Sequence, residues 1–130
     1  MTLIQIPRKI VDAVTDAKLL SESLLQKCAI DPEGTEVYKD TLRCRSDVQY
    51  AIALIRIEFG LLAMNRPQLK GRVSLDVNLA KIKDLLSRCV QSMESQKLTD
   101  AFEDLLAADA VLGKLIGSMR RKNRSSCFSD

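Results

Sequence analysis

Basic side chains are the residues of this chain best suited to chemical recognition, and five of the 20 lysines and arginines cluster near its C-terminus. Guanidinium and ammonium groups contact phosphates by charge alone, so such a cluster favours a polyanion or an acidic protein surface as its partner. The main cluster contains Lys114, Arg120, Arg121, Lys122 and Arg124. A smaller group lies in a predicted connection between helices and contains Arg66, Lys70 and Arg72.

Basic residues at the end of a helix also have a plain structural use, because they complement the negative end of the helix dipole. That effect contributes about 0.3–1 kcal/mol. Four basic residues fall within positions 120–124, which is more than a helix end requires. We therefore interpret the cluster as a binding surface for nucleic acid or for a protein partner.

Small residues on the same predicted helix form a second candidate surface, at Ala110, Gly113 and Gly117. Their spacing of three and four places them on one helix face. A glycine inside a helix costs about 1 kcal/mol relative to alanine. We therefore expect another helix to pass close to this face, from the same bundle or from a second copy of the chain. We expect the neighbouring Asp109 to be an exposed residue or an interface charge.

Catalytic groups are missing from the sequence. The chain has no histidine, which excludes Ser-His and Cys-His nucleophile pairs and the Glu-x-x-His motif of di-iron bundles. Its five glycines are isolated from one another, so none forms a phosphate-binding loop. The adjacent carboxylates Glu103 and Asp104 lie near the start of a predicted helix, where the helix dipole explains them. We expect no enzymatic activity, no metal, no cofactor and no small-molecule substrate.

Composition indicates a helical protein. Aromatic residues make up only 4% of the chain, whereas 46% is hydrophobic, so the core must consist mainly of aliphatic side chains. No stretch approaches the roughly 18 apolar residues of a membrane span. The four cysteines are widely scattered, and three of them fall at or beside apolar positions, which is typical of buried, reduced thiols. We therefore expect a cytoplasmic protein that does not contact membranes.

Apolar residues recur at helical spacing in four segments. The first runs from about residue 8 to 28, the second from Thr35 to Asn65, the third from about Ser74 and the fourth from about Thr99 to Lys122. Amphipathic helices with short connections predict an all-α four-helix bundle with up-down-up-down topology. We expect a single domain over residues 1–124 and a flexible tail over residues 125–130.

The segment from Leu112 to Ser118, LGKLIGS, followed by basic residues, resembles the last helix of the accessory variability determinant (Avd) family of diversity-generating retroelements. That helix has the pattern apolar-Gly-basic-apolar-apolar-Gly and a basic end. The resemblance covers roughly the C-terminal half, from about Leu75. Met119 stands where the family often has a tryptophan.

The resemblance implies a non-catalytic four-helix bundle that assembles as a homopentamer. Such a protein binds the reverse transcriptase of the retroelement and its structured template RNA, and supports synthesis of mutagenised cDNA. The residues that the resemblance implies as contacts are those of the two basic groups above. Two other functions stay open: a small helical subunit of another ribonucleoprotein, such as a CRISPR effector, and a protein-only adaptor or chaperone.

Overall fold

Four α-helices make up the structure, a computed structural model that describes residues 6–31, 34–61 and 74–128, with side chains up to Arg120. Their bounds are α1 (Arg8–Ile30), α2 (Thr35–Phe59), α3 (Leu75–Glu94) and α4 (Leu98–Phe128). Buried aliphatic side chains from all four helices form one core. The predicted all-α four-helix bundle is confirmed.

The apolar stripes of the sequence face this core. Helix α3 buries the residues that recur at spacings of three and four from Leu79 to Met93. Helix α2 does the same from Val37 to Ile55. Three of the cysteines, Cys28, Cys44 and Cys89, are buried free thiols. Burial raises the pKa of Cys44 and of Cys89 to about 12, so both thiols stay protonated at neutral pH.

Side-chain contacts fix the direction of each helix. Lys9 at the start of α1 lies 3.4 Å from Glu58 at the end of α2, so these helices are antiparallel. Helix α4 is antiparallel to α2, because the Arg120 side chain reaches Tyr38 near the start of α2. At the other end of α4, the Cys89 thiol near the end of α3 donates a hydrogen bond to the Ala101 carbonyl at 3.4 Å.

Helices α1 and α3 are antiparallel as well. Burial raises the pKa of the Cys28 thiol near the end of α1, and the charge of Asp76, in the first turn of α3, adds to that rise, so these two helix ends lie close together. Among the described residues, α1 packs on α2 and α3, and α4 packs on the same two helices. The order of directions is therefore up-down-down-up, which differs from the expected up-down-up-down.

The connection between α2 and α3 explains this difference. Gly60 adopts a left-handed conformation with φ of 66°, and its N–H bonds to the Arg56 carbonyl, so α2 ends at Phe59 and not at Asn65. The connection is then 15 residues long. A chain of that length reaches at most about 50 Å, whereas α3 is about 30 Å long. That length is enough to span from the end of α2 to the opposite end of the bundle, so α3 can begin there and run in the same direction as α2.

Helix α4 runs past the predicted end at Lys122. Its helical backbone continues to Phe128, through most of the segment that we expected to be a flexible tail. At its other end, a tight turn joins it to α3: Gln96 adopts φ of 59°, and the Lys97 N–H bonds to the Ser92 carbonyl. This Schellman turn satisfies the last carbonyls of α3.

Candidate functional site

Arg120 is the member of the C-terminal basic cluster whose surroundings the structure describes most fully. Its side chain is exposed, and its Nε donates a hydrogen bond to the Tyr38 hydroxyl at 3.2 Å. Lys114 is half-buried on the same helix. Arg121, Lys122 and Arg124 continue the helical backbone, but their side chains lie outside the described residues.

The second basic group lies outside the described part of the chain. Arg66, Lys70 and Arg72 belong to residues 62–73, so their predicted contact with a partner stays a prediction.

An ion pair links α2 to the middle of α4. Arg45 donates from Nε to Asp109 at 3.1 Å, and the Asp109 residue is only 3% exposed. The expectation that Asp109 is exposed is therefore wrong, whereas the alternative of an interface charge fits its contact with α2. The period of α4 places Asp109 towards α2, and a carboxylate in that position needs a partner because burial without one is costly.

The close neighbour of Gly113 is this same arginine. A Cβ on Gly113 would lie 3.0 Å from an Arg45 terminal nitrogen and 3.2 Å from its guanidinium carbon. Around Gly117 a Cβ would meet nothing within 4 Å, and Ala110 is half-buried. Within the chain, the close neighbour of this face is thus a guanidinium and not the helix backbone that we expected. Contact with a second copy of the chain stays a prediction.

Two arginines of α2 escaped the sequence analysis. Arg45 is the first, and Arg56 is the second: its guanidinium carbon lies 6.0 Å from the centre of the Phe102 ring. The Arg56 Nε is buried without a hydrogen-bond partner among the described residues. The two positions are eleven residues apart, which is three helical turns. That spacing was the signal in the sequence that placed them on one face.

The carboxylates at the start of α4 differ from each other. Asp104 is nearly buried and lies 3.6 Å from Arg88 of α3, whereas Glu103 is exposed. Burial raises the pKa of Asp104, and the Arg88 charge opposes that rise. Asp104 therefore joins α4 to α3, a role that the helix dipole alone did not predict.

A groove between α1 and α2 is lined partly by charged side chains. Its lining comprises Asp16, Leu19, Leu20, Arg43, Ser46 and Asp47. Burial, and then the charge of Asp16, raise the pKa of Asp47, while Arg43 lowers it. Within the described ranges, no three His, Cys, Asp or Glu side chains come together as a metal site.

Comparison with protein families, with curated proteins and with solved structures finds no match to this chain. In the parts of the chain that the structure describes, no helix has the length and apolarity needed to cross a membrane.

Replacing Arg45 by alanine is expected to destabilise the fold by about 3 kcal/mol, because it leaves the buried Asp109 carboxylate without its partner. Arg43→Ala, an exposed site two residues away, should change the free energy of unfolding by less than about 0.5 kcal/mol. Urea denaturation measures both. Replacing the pair together, as Arg45→Met with Asp109→Leu, should restore most of the loss; equal costs for the two alanine variants would contradict the assignment.

Asp47→Asn is expected to stabilise the protein at pH 7. A carboxyl whose folded-state pKa is raised stabilises the fold below its unfolded pKa, and this contribution is lost as pH rises through the folded pKa. The advantage of the asparagine variant should therefore vanish below about pH 3.9. Asp12→Asn, at an exposed position of α1, serves as the control. An advantage that persists unchanged at low pH would show that charge is not its cause.

Proposed function

We propose that this protein is a non-catalytic, cytoplasmic accessory protein that oligomerises and binds a reverse transcriptase and its structured template RNA. In this proposal it serves a diversity-generating retroelement and supports mutagenic cDNA synthesis. The basic residues near the end of α4 contact the RNA or the polymerase, and the bundle holds them in place.

The partner of Arg120 is the observation that carries the proposal. Arg120 bonds to the neutral hydroxyl of Tyr38, so no carboxylate among the described side chains cancels its charge. The two most deeply buried carboxylates of α4, Asp104 and Asp109, are instead occupied by Arg88 and Arg45. These two acids of the helix are thus paired within the bundle, while positive charge stays on the surface near its C-terminal end.

Exposed apolar residues on α2 support self-association. Tyr50 is 54% exposed and Ile57 is 77% exposed, with the exposed Ala53 between them on the same face. Apolar side chains that share one helix face are a common feature of contacts between proteins. The small residues Ala110 and Gly117 offer a second surface where another copy could approach α4 closely.

Reversing the charge of the α4 cluster tests the RNA contact. The variant with Arg120, Arg121, Lys122 and Arg124 replaced by glutamate should lose the template RNA when it is co-purified with the reverse transcriptase. The matched control replaces four exposed basic residues elsewhere by glutamate: Arg8, Lys39, Arg43 and Lys81. Circular dichroism confirms that both variants fold. Equal RNA recovery with the two variants would refute the role of the cluster.

Light scattering tests the assembly. A homopentamer of the 14.5 kDa chain has a mass of about 73 kDa, and we expect this species in solution. A monomer or dimer that binds RNA would favour a subunit of another ribonucleoprotein. Phosphate contacts are strongest at low salt. If the chain binds no RNA even under that condition, a protein-only adaptor or chaperone is favoured.

A further inference from the structure

Three arginines follow the junction between α2 and α4. Arg45 and Arg56 extend from α2 to Asp109 and Phe102 of α4, and Arg120 extends from α4 to Tyr38 of α2. At 1.5 Å per residue, Arg45 and Arg56 are about 16 Å apart along α2, and the level of Tyr38 is about 10 Å beyond Arg45. We call these three residues the arginine row; it is about 27 Å long.

Each arginine of the row is held in place by a neighbour. Asp109 fixes Arg45 through its Nε, while the other end of the guanidinium lies over Gly113. Arg56 stands near the face of the Phe102 ring, and its Nε is buried. Because the side chains are already ordered, a ligand would lose less conformational entropy in meeting them than in meeting mobile surface lysines.

The row keeps most of its positive charge. Among the described side chains, Asp109 is the one carboxylate paired with any of the three arginines, so three positive charges face one negative charge. The adjoining face of α4 is lined by the small residues Ala110 and Gly117, which do not obstruct the approach of a bulky polymer. This charge and this shape fit an extended polyanion.

Bases have little to stack on along the row. Phe102 is 1% exposed and so cannot present its ring to a ligand, and the exposed Tyr50 points to a different face of α2. Protein surfaces that read single-stranded bases combine basic grooves with exposed aromatic rings. The half-buried Tyr38, whose hydroxyl accepts the Arg120 hydrogen bond, is one ring beside the row, and a single ring offers little stacking surface. The row therefore contacts mainly phosphates.

We propose that the arginine row binds the phosphate backbone of structured RNA without regard to its base sequence. This inference rests on the proposed function and extends it from the end of α4 to the whole α2–α4 junction. The row meets the RNA through Arg45, Arg56 and Arg120, of which only Arg120 belongs to the basic cluster of the sequence analysis.

The test measures the affinity of the full-length protein for a labelled RNA duplex as salt rises from about 50 to 200 mM. The variant combines Arg56→Gln with Arg120→Gln, which leaves the Arg45–Asp109 pair intact. The slope of log affinity against log salt should fall by about 1.5 for the two lost phosphate contacts. A second duplex of unrelated sequence should give the same slope and the same change.

The control variant removes the same number of charges elsewhere, by combining Arg8→Gln with Arg43→Gln. Both residues are exposed, and Arg43 lines the α1–α2 groove on the other side of α2. For this control variant, the slope of log affinity against log salt should match that of the unmodified protein. Circular dichroism and thermal unfolding establish that both variants remain folded.

The outcomes separate this inference from the proposed function. If the unmodified protein binds no RNA duplex, both fail, and an acidic protein becomes the better partner for the row. If it binds RNA but the row variant keeps the full slope, or loses no more than the control, the row is not the contact. The proposed function would then survive through the rest of the α4 cluster.

Discussion

The ion pair between Arg45 and Asp109 is the interaction on which the arrangement of α2 and α4 depends. A carboxylate that is almost fully withdrawn from water is tolerated only with a close, hydrogen-bonded partner. The Arg45 guanidinium lies against Gly113, where a Cβ would be 3.0 Å from its terminal nitrogen and would displace it slightly. Similar pairs join Lys27 of α1 to Asp40 of α2 and Arg88 of α3 to Asp104 of α4. Such pairs stabilise little compared with apolar packing, but they penalise any alternative register that leaves the carboxylate unpaired.

The directions of the four helices also favour this packing. Every pair of neighbouring helices is antiparallel, so each helix dipole lies beside dipoles of opposite direction. The chain achieves this with two short connections and one long one, because α2 ends at Phe59 and α3 begins only at Leu75. Helices α2 and α3 then point the same way from diagonal corners, and the aliphatic core fills the space between all four.

The proposed function uses the surface that this packing leaves charged. Asp104 and Asp109 of α4 are paired with arginines of its two neighbouring helices. Among the described side chains, Asp109 is therefore the carboxylate that the arginine row contacts. The groove between α1 and α2 has a different character, since Asp16 and Asp47 lie there together with Arg43. Charge is therefore distributed unevenly around the bundle, and that is the condition for a polyanion to bind in one orientation.

The sequence by itself determined the four helices and the faces that they bury, because aliphatic residues at spacings of three and four have only one way to leave water together. It also predicted that another helix passes close to Gly113, but the neighbour there within the chain is the Arg45 side chain. It did not determine which neighbour this is, nor the pairing of Asp109, since both depend on which helix lies next to α4. Arg45 and Arg56 shared a face in the sequence, but only tertiary packing turned that face towards α4. The direction of α3 was likewise decided in three dimensions, because a connection of 15 residues permits either direction and only the side-chain contacts select one.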